Sequence, residues 1–576
     1  MVWRSQRLLV HLPRLRLIDL LLLAAAGAVL YALLAIAPGN LRRVSPSVVI
    51  DLRTAALPGY TALSLLRMAT AYGLSLLFTL TFGYAAARSR RAERVLIPVL
   101  DILQSIPVLS FLPAVLLAMI AVFPRQTVGL EVGSILLIFT GMVWNMTFSF
   151  YHSLLTLPPE LVEVARALRL TWWQRLTSVE LPAATIGLVW NSMMSWAGGW
   201  FFLMACESFT LVNRSFTLPG LGSYLAVASS RGDLRAIAWG LVTLVALTVV
   251  SDQLLWRPLV AWSQRFKVEL AEDPDPPRSW LLNLLRRSRL LPATQRRIWL
   301  PFIESLDRAF QRVEEAIRGV PRRAPTTRLL AMGRSLIAIT AIGGVAWGAA
   351  ALTGMLLRVS VSEWGQITIG AGATFVRVAV ALAIALAWTV PLGVAIGLNA
   401  RLARVVQPLA QVVASVPATA LFPVLLAVLV RIGGGMSVAS VLLMLLGTQW
   451  YLLFNIIGGA NAIPRDLLEA TALLKVRGWV RWRALVLPAI FPHLVTGGIT
   501  AQGGAWNASI VSEFAEFSGR TLSTVGLGAL IARATQDGNY PLLAASTMVM
   551  AVIVILANRL GWRRAMRAAE SRYHLE

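Results

Sequence analysis

Long apolar runs alternate with short polar, basic segments along this chain of 576 residues. Such runs cover approximately 17–37, 61–87, 96–122, 131–155, 183–206 and 235–262. After a polar stretch at 263–328 they resume at 329–354, 371–398, 408–430, 437–460, 489–512 and 541–561. About 20 apolar residues suffice to cross a bilayer as a helix. The pattern predicts an all-α polytopic membrane protein with about 12 transmembrane helices, six on each side of the polar stretch.

The two groups repeat one another. PVLDILQSIPVLSFLPAVLLAM (98–119) matches PLAQVVASVPATALFPVLLAVL (408–429) at an offset of 310. LPPELVEVARALRLTWWQRLTSVELP (157–182) matches IPRDLLEATALLKVRGWVRWRALVLP (463–488) at an offset of 306. The first half therefore carries four extra residues, placed around Val122–Ser134. Beyond that point Trp200 aligns with Trp506, Glu207 with Glu513, and Gly220-Leu221-Gly222 with Gly526-Leu527-Gly528. Six spans return the chain to its starting side. The halves are thus expected to be parallel repeats about an axis along the membrane normal. The domains read as 1–262 (extra span 17–37, core 61–262), a linker at 263–328, and 329–576 (extra span 329–354, core 371–565).

Charge sets the orientation. Arg4, Arg7, Arg14 and Arg16, then Arg88, Arg90, Arg91 and Arg94, fall on one side, with Arg166, Arg169 and Arg175. Arg401, Arg404, Arg465, Lys475, Arg477, Arg481, Arg483, Arg563, Arg564 and Arg567 fall on the same side. By the positive-inside rule this side is cytoplasmic, with both termini, the linker and both repeated loops. The net charge of +25 is distributed over loops rather than gathered on one face, so nucleic acid is not the expected partner. Apolar residues make up 57% and charged residues 14%, with mean hydropathy +0.70, well outside the soluble range. Cys206 is the single cysteine, which excludes an intrachain disulfide framework. The run at 17–37 is too long for a signal-peptide core and reads as a retained helix.

In the linker, Trp280, Leu281, Leu284 and Leu285 share a helical face near Arg286, Arg287 and Arg289. This suits a helix on anionic membrane lipid; a solvated linker is the equal alternative. Pro107 and Pro113 interrupt the third run, Pro417 and Pro423 the ninth. Such breaks are tolerated where backbone is buried or lines a wet cavity. Ser105, Pro107, Ser415 and Pro417 are therefore the expected lining of a translocation path, against the alternative of a simple packing kink. Glu207 and Glu513, beside Trp200 and Trp506, are expected to form gate or scaffold contacts, with Arg214 and Arg520 as partners. The four His are scattered, and neither a catalytic constellation nor a G-x-x-x-x-G-K-[ST] phosphate loop occurs. No catalytic or metal-binding residue is assigned.

The repeated loops resemble those of type I ABC importer permeases, in the nitrate/sulfonate/taurine/bicarbonate-like group, in a form with two permease halves fused. The family signature is Glu-Ala-Ala, three residues, Gly and a later Leu-Pro. Here it stands as Glu163-Val164-Ala165 and Glu469-Ala470-Thr471, with Pro182 and Pro488 closing each loop. The signature Gly is replaced by Arg169 and Lys475. The resemblance covers about 61–262 and 371–565 and implies type I importer permease architecture. It implies import of a small solute, with anions such as nitrate, sulfonate/taurine or bicarbonate expected. It implies that Glu163, Ala165, Arg169, Pro182, Glu469, Lys475 and Pro488 couple to two separate ATPase subunits, which bind ATP and Mg. A periplasmic or lipid-anchored solute-binding protein, one permease copy per transporter and a bacterial inner-membrane location follow from the same resemblance. The competing reading is an ion-coupled secondary transporter.

Overall fold

Apolar residues on every face of a long run leave the backbone one way to satisfy its polar groups away from water, the α-helix. The computed structural model describes residues 48–123, 126–211, 214–266, 279–287, 346–414, 416–431 and 435–572, with a few isolated positions between them. The expected first span, much of the seventh and most of the linker lie outside the described residues.

The first half runs α1 (Thr54–Arg88), α2 (Arg90–Ser105), α3 (Leu112–Val122), α4 (Gln126–Leu155), α5 (Pro159–Ala167) and α6 (Leu181–Glu207). An antiparallel hairpin of β1 (Ser208–Leu211) and β2 (Arg214–Thr217) follows, then α7 (Leu221–Arg231) and α8 (Leu234–Ser251). A short α9 (Trp280–Arg287) lies in the linker. The second half repeats the order: α10 (Val361–Gly397), α11 (Ala400–Ala414), α12 (Ala418–Arg431), α13 (Met436–Asn461), α14 (Arg465–Leu473) and α15 (Leu487–Ser512). It closes with β3 (Phe514–Phe517), β4 (Arg520–Ser523), α16 (Leu527–Asp537) and α17 (Tyr540–Ala557). Among the described residues seven helices are long and apolar enough to cross a membrane, and α2 with α3 makes an apolar pair bent by 82°, a broken span or a re-entrant loop. The expected fifth span is a helix of 27 residues, and the ninth is divided into α11 and α12.

The four extra residues have a structural form. Helix α4 is 30 residues long and α13 is 26. Their last residues, Leu155 and Asn461, are 306 apart, whereas their first are 310 apart. The insertion is one added helical turn at the start of α4.

The halves interlock rather than abut. The turn Val108–Phe111 before α3 packs on α15, α2 packs on α17, and α12 packs on α6 and α8. One apolar core accordingly joins Leu116, Cys206 and Phe216 to Met444, Trp506 and Met550. The turn of the β3–β4 hairpin donates from Ser518 N and Gly519 N to Ser229 O (3.1 Å) and Ser230 O (2.8 Å) of α7.

Each half contains one buried ionic clasp at its hairpin end. Glu207, fully buried, accepts from Arg67 Nη1 (2.7 Å), Ser64 Oγ (2.6 Å) and Gly222 N (2.7 Å). Glu513 accepts from Arg377 Nη1 (2.8 Å), Thr374 Oγ1 (2.8 Å) and Gly528 N (2.9 Å). The expected partner Arg520 does not make the contact to Glu513, and the side chain of Arg214 lies outside the described residues. The cations come from α1 and α10, 140 and 136 residues earlier in the chain, helices that pack beside α6 and α15. Arg67 also binds Glu131 through Nε and Nη2, both at 2.6 Å. At the matching position Arg377 meets Ser437 Oγ at 3.3 Å.

The Gly-Leu-Gly segments owe their glycines to space. Gly220 and Gly526 are extended, with φ of 177° and 179°. A methyl at either would fall on the Glu207 or Glu513 carboxylate. Losing one partner of a buried ion pair costs about 3–5 kcal/mol. Gly220→Ala and Gly526→Ala are expected to lower the unfolding midpoint of the detergent-solubilised protein by several degrees. Gly59→Ala, with open space around it, is expected to leave it unchanged. Equal midpoints for all three would show that the clasps do not hold the fold.

Candidate functional site

The repeated loops form matching helix–turn–helix units. Pro158 and Pro464 stand at the N-caps of α5 and α14, where a missing N–H costs nothing. Both helices end in the same hydrogen-bonded turn. Leu170 N donates to Ala165 O (3.1 Å) and Arg169 N to Arg166 O (3.0 Å). Val476 N donates to Thr471 O (2.9 Å) and Lys475 N to Ala472 O (3.1 Å). This is the Schellman ending, which needs a left-handed residue and favours Gly. Arg169 and Lys475 take that conformation, with φ of 50° and 52°. The cation that replaces Gly thus leaves the turn intact, at a cost of roughly 1–2 kcal/mol for an L-residue there. Downstream, Thr171 and Gln174 form a capping box at the first loop, while Gly478 (φ 60°) opens the next helix at the second.

A widened π-type turn follows in each loop, at Leu176–Glu180 and Trp482–Val486. It sits just before Pro182 and Pro488, whose rings would otherwise press on carbonyls four residues earlier. The loop surfaces are partly apolar. Ala165 is buried, but Leu168 is 66% exposed, and Leu473 and Leu474 are 82% and 76% exposed. Glu163 and Glu469 are both exposed.

The loops are anchored differently. In the first, Glu180 is fully buried and paired with Arg88 and with Arg175 Nε (2.6 Å). This ties α1, the loop and the start of α6 together. The matching residues in the second half are Val486, Leu398 and Arg481. There Leu485 and Val486 join an apolar cluster with Val394, Leu452 and Ile456. Sequence reading missed Glu180, Arg67 and Arg377. A lone Glu where the other half has Val, and a lone Arg at the same place in two apolar runs, were the available signals.

Residues of both proline-broken segments, Val108 and Pro417, line neighbouring cavities. Pro417, Gly198, Phe201, Tyr451 and Asn507 line a cavity of about 110 Å³. A neighbouring cavity of the same size shares Phe202, Tyr451, Gly504 and Asn507 and adds Gln104, Asn145, Gln502 and Trp144. Leu109 N, two residues past Pro107, donates to Asn507 Oδ1 at 3.3 Å across the two halves. The described lining residues of these two cavities include no Lys, Arg, Asp or Glu. A larger cavity of about 380 Å³ takes in Trp200, Trp190, Asn455, Asn461, Asp252 and His493. Trp506, the counterpart of Trp200, is buried in the core. The Ser105 side chain and Ser415 lie outside the described residues. None of the loop residues lines these cavities; coupling and path candidates occupy separate parts of the molecule.

The lining is asymmetric. Trp196 and Phe201 stand where the second half has Gln502 and Asn507. Gln502 Oε1 accepts from the indole Nε1 of Trp562. The amides that line the larger cavity, Gln407, Gln411, Asn455 and Asn461, all come from the second half.

Comparison with known proteins matches this duplicated arrangement. A putative aliphatic sulfonates transport permease of Bacillus subtilis is 26% identical over 212 residues, which are 36% of this chain and 72% of that protein. A nitrate import permease of Leptolyngbya laminosa is 26% identical over 188 residues, 33% of this chain and 64% of its own. A bicarbonate transport system permease of Synechococcus elongatus is 30% identical over 183 residues, 32% of this chain and 61% of its own. The family model for binding-protein-dependent transport system inner membrane components matches twice, at residues 79–255 and 389–561, together more than half of the chain. This chain belongs to that family of transport-system membrane components and carries the family unit twice.

Proposed function

We propose that the chain is the permease of an ATP-binding-cassette importer and moves a small anion inward by alternating access. The observation that carries the reading is the pair of matching loops, 157–182 and 463–488, each with an exposed apolar tip and each inside a family match. Glu163, Ala165, Arg169 and Pro182, with Glu469, Lys475 and Pro488, form the contacts to two separate ATPase subunits. Those subunits bind ATP and Mg; this chain contributes no catalytic group. A periplasmic or lipid-anchored binding protein delivers solute at the hairpin end. The distribution of Arg and Lys supports a bacterial inner-membrane location with both termini cytoplasmic. With both halves on one chain, a single copy completes the pore.

ATP closes the two ATPases and draws the loops together. Because α6 and α15 run without interruption from the loops to the clasps, loop motion reaches the hairpin end as helix motion. The path then opens outward, and hydrolysis resets it inward. Nitrate, sulfonates and bicarbonate are the solutes named for the relatives, and they support an anion here. The rival, an ion-coupled secondary transporter, draws on Asp252 and His493 in the cavity of about 380 Å³. Asp252, however, is paired with Arg257 at 2.8 Å.

Two measurements test this reading. The ATPase subunits are expected to co-purify with the wild-type chain at two per permease and to be lost from the Glu163→Ala, Glu469→Ala double variant. Two permease copies per ATPase pair, or undiminished uptake in cells without the ATPase, would remove the reading. In addition, Glu180→Gln leaves Arg88 and Arg175 without their counter-charge. Solute-stimulated ATP hydrolysis by the complex is expected to fall severalfold while co-purification is kept. An unchanged rate would mean that the Glu180 anchor transmits no force.

A further inference from the structure

Arg169 and Lys475 hold a backbone conformation that glycine would adopt without strain, and they do so at the same place in both halves. The turn does not need their side chains. The backbone N–H groups of Leu168, Arg169 and Leu170 take the last free carbonyls of α5, and those of Leu474, Lys475 and Val476 do the same for α14. Helix-dipole complementarity favours a cation near a C-terminus, but Arg166 already supplies one in α5. Both side chains are exposed and make no ion pair among the described residues. Each follows directly on an exposed leucine, Leu168 or Leu474.

Non-glycine residues held in this conformation cluster at functional sites, and this one recurs at the same place in two diverged copies. We propose that Leu168-Arg169 and Leu474-Lys475 are two equivalent docking points. Each leucine enters an apolar pocket of a partner subunit, and each cation meets a carboxylate on the rim of that pocket. The partner chemistry follows from what Arg and Lys share. Their common property is a positive charge on a long stem, not the planar fork that grips carboxylates bidentately. A point-charge contact with one acidic side chain serves both. Two equivalent tips call for two equivalent acceptors, which fits a pair of like protein subunits rather than a lipid surface. The inference rests on the proposed ATPase partnership and adds its recognition chemistry: an apolar floor with an acidic rim.

The test uses the full chain in detergent and the ABC ATPase subunit that co-purifies with it. The Arg169→Gly, Lys475→Gly double variant is expected to have a raised unfolding midpoint on its own, since strain is removed. Its affinity for the ATPase is expected to fall about tenfold, the loss of a charge-assisted contact, with a flatter dependence on ionic strength. The exchange variant Arg169→Lys, Lys475→Arg is expected to bind as wild type. Wild-type affinity and salt dependence in the glycine variant would overturn the contact while leaving the ATPase partnership standing. Loss of binding to vesicles containing anionic lipid, with ATPase affinity unchanged, would also overturn it in favour of a lipid contact. Failure of the wild-type chain to bind any ATPase would overturn the underlying reading and this contact with it.

Discussion

The buried carboxylate at the end of α6, and its twin at the end of α15, constrain everything around them. A charge removed from water must be paired and fully hydrogen-bonded, or the desolvation cost is prohibitive. Glu207 meets that demand only when α1 brings Arg67 and Ser64 and the start of α7 brings Gly222 N. Three segments distant in sequence must therefore arrive together. The same condition fixes the short hairpin between them. It also forbids a side chain at Gly220 and Gly526, where the carboxylate itself occupies the space. Glycine here is a steric necessity and has nothing to do with backbone freedom.

With the hairpin ends locked, the remaining differences between the halves lie elsewhere. The clasp of the first half has Glu131 where the second has Ser437. The loop of the first half is anchored by a buried ion triad, that of the second by apolar packing. A duplicated unit on one chain can vary each copy separately, which two identical subunits cannot do. The polar anchor gathers Arg88 and Arg175 on one buried carboxylate. Apolar packing is more tolerant of sliding. The two loops are therefore held to the bundle by different kinds of contact, although their helix ends match.

Much of this architecture was legible in the sequence because repetition and hydropathy are local signals. The offset of 306, the loop boundaries and the proline breaks needed only counting. What was not legible were contacts made across the bundle. Glu207 sits seven residues before Arg214, so proximity in sequence pointed there; the true partner lies 140 residues away on another helix. Arg169 and Lys475 stand where the family signature has Gly. The backbone shows that the turn tolerated the change and absorbed the strain. A propensity rule states the cost of such a residue but not whether the surrounding hydrogen bonds will hold it.

The central cavities show where charge is absent. Buried cations and carboxylates are gathered at the hairpin end and at the loop end, in pairs. The described lining of the two smaller cavities is aromatic, aliphatic and neutral polar, without Lys, Arg, Asp or Glu. A conduit must bind a solute well enough to admit it and weakly enough to release it. A fixed counter-charge at the midpoint would deepen one well and slow release. Neutral donors such as Asn507, Gln502 and Asn145 can contact an anion without holding it. Under the proposed function, such a path discriminates little by charge, and selectivity falls to the protein that delivers the solute. The asymmetry of the lining bears on the same point. Asn507 lines the cavity where the matching residue of the first half, Phe201, lines it too, so the two halves offer an amide and a ring to the same space.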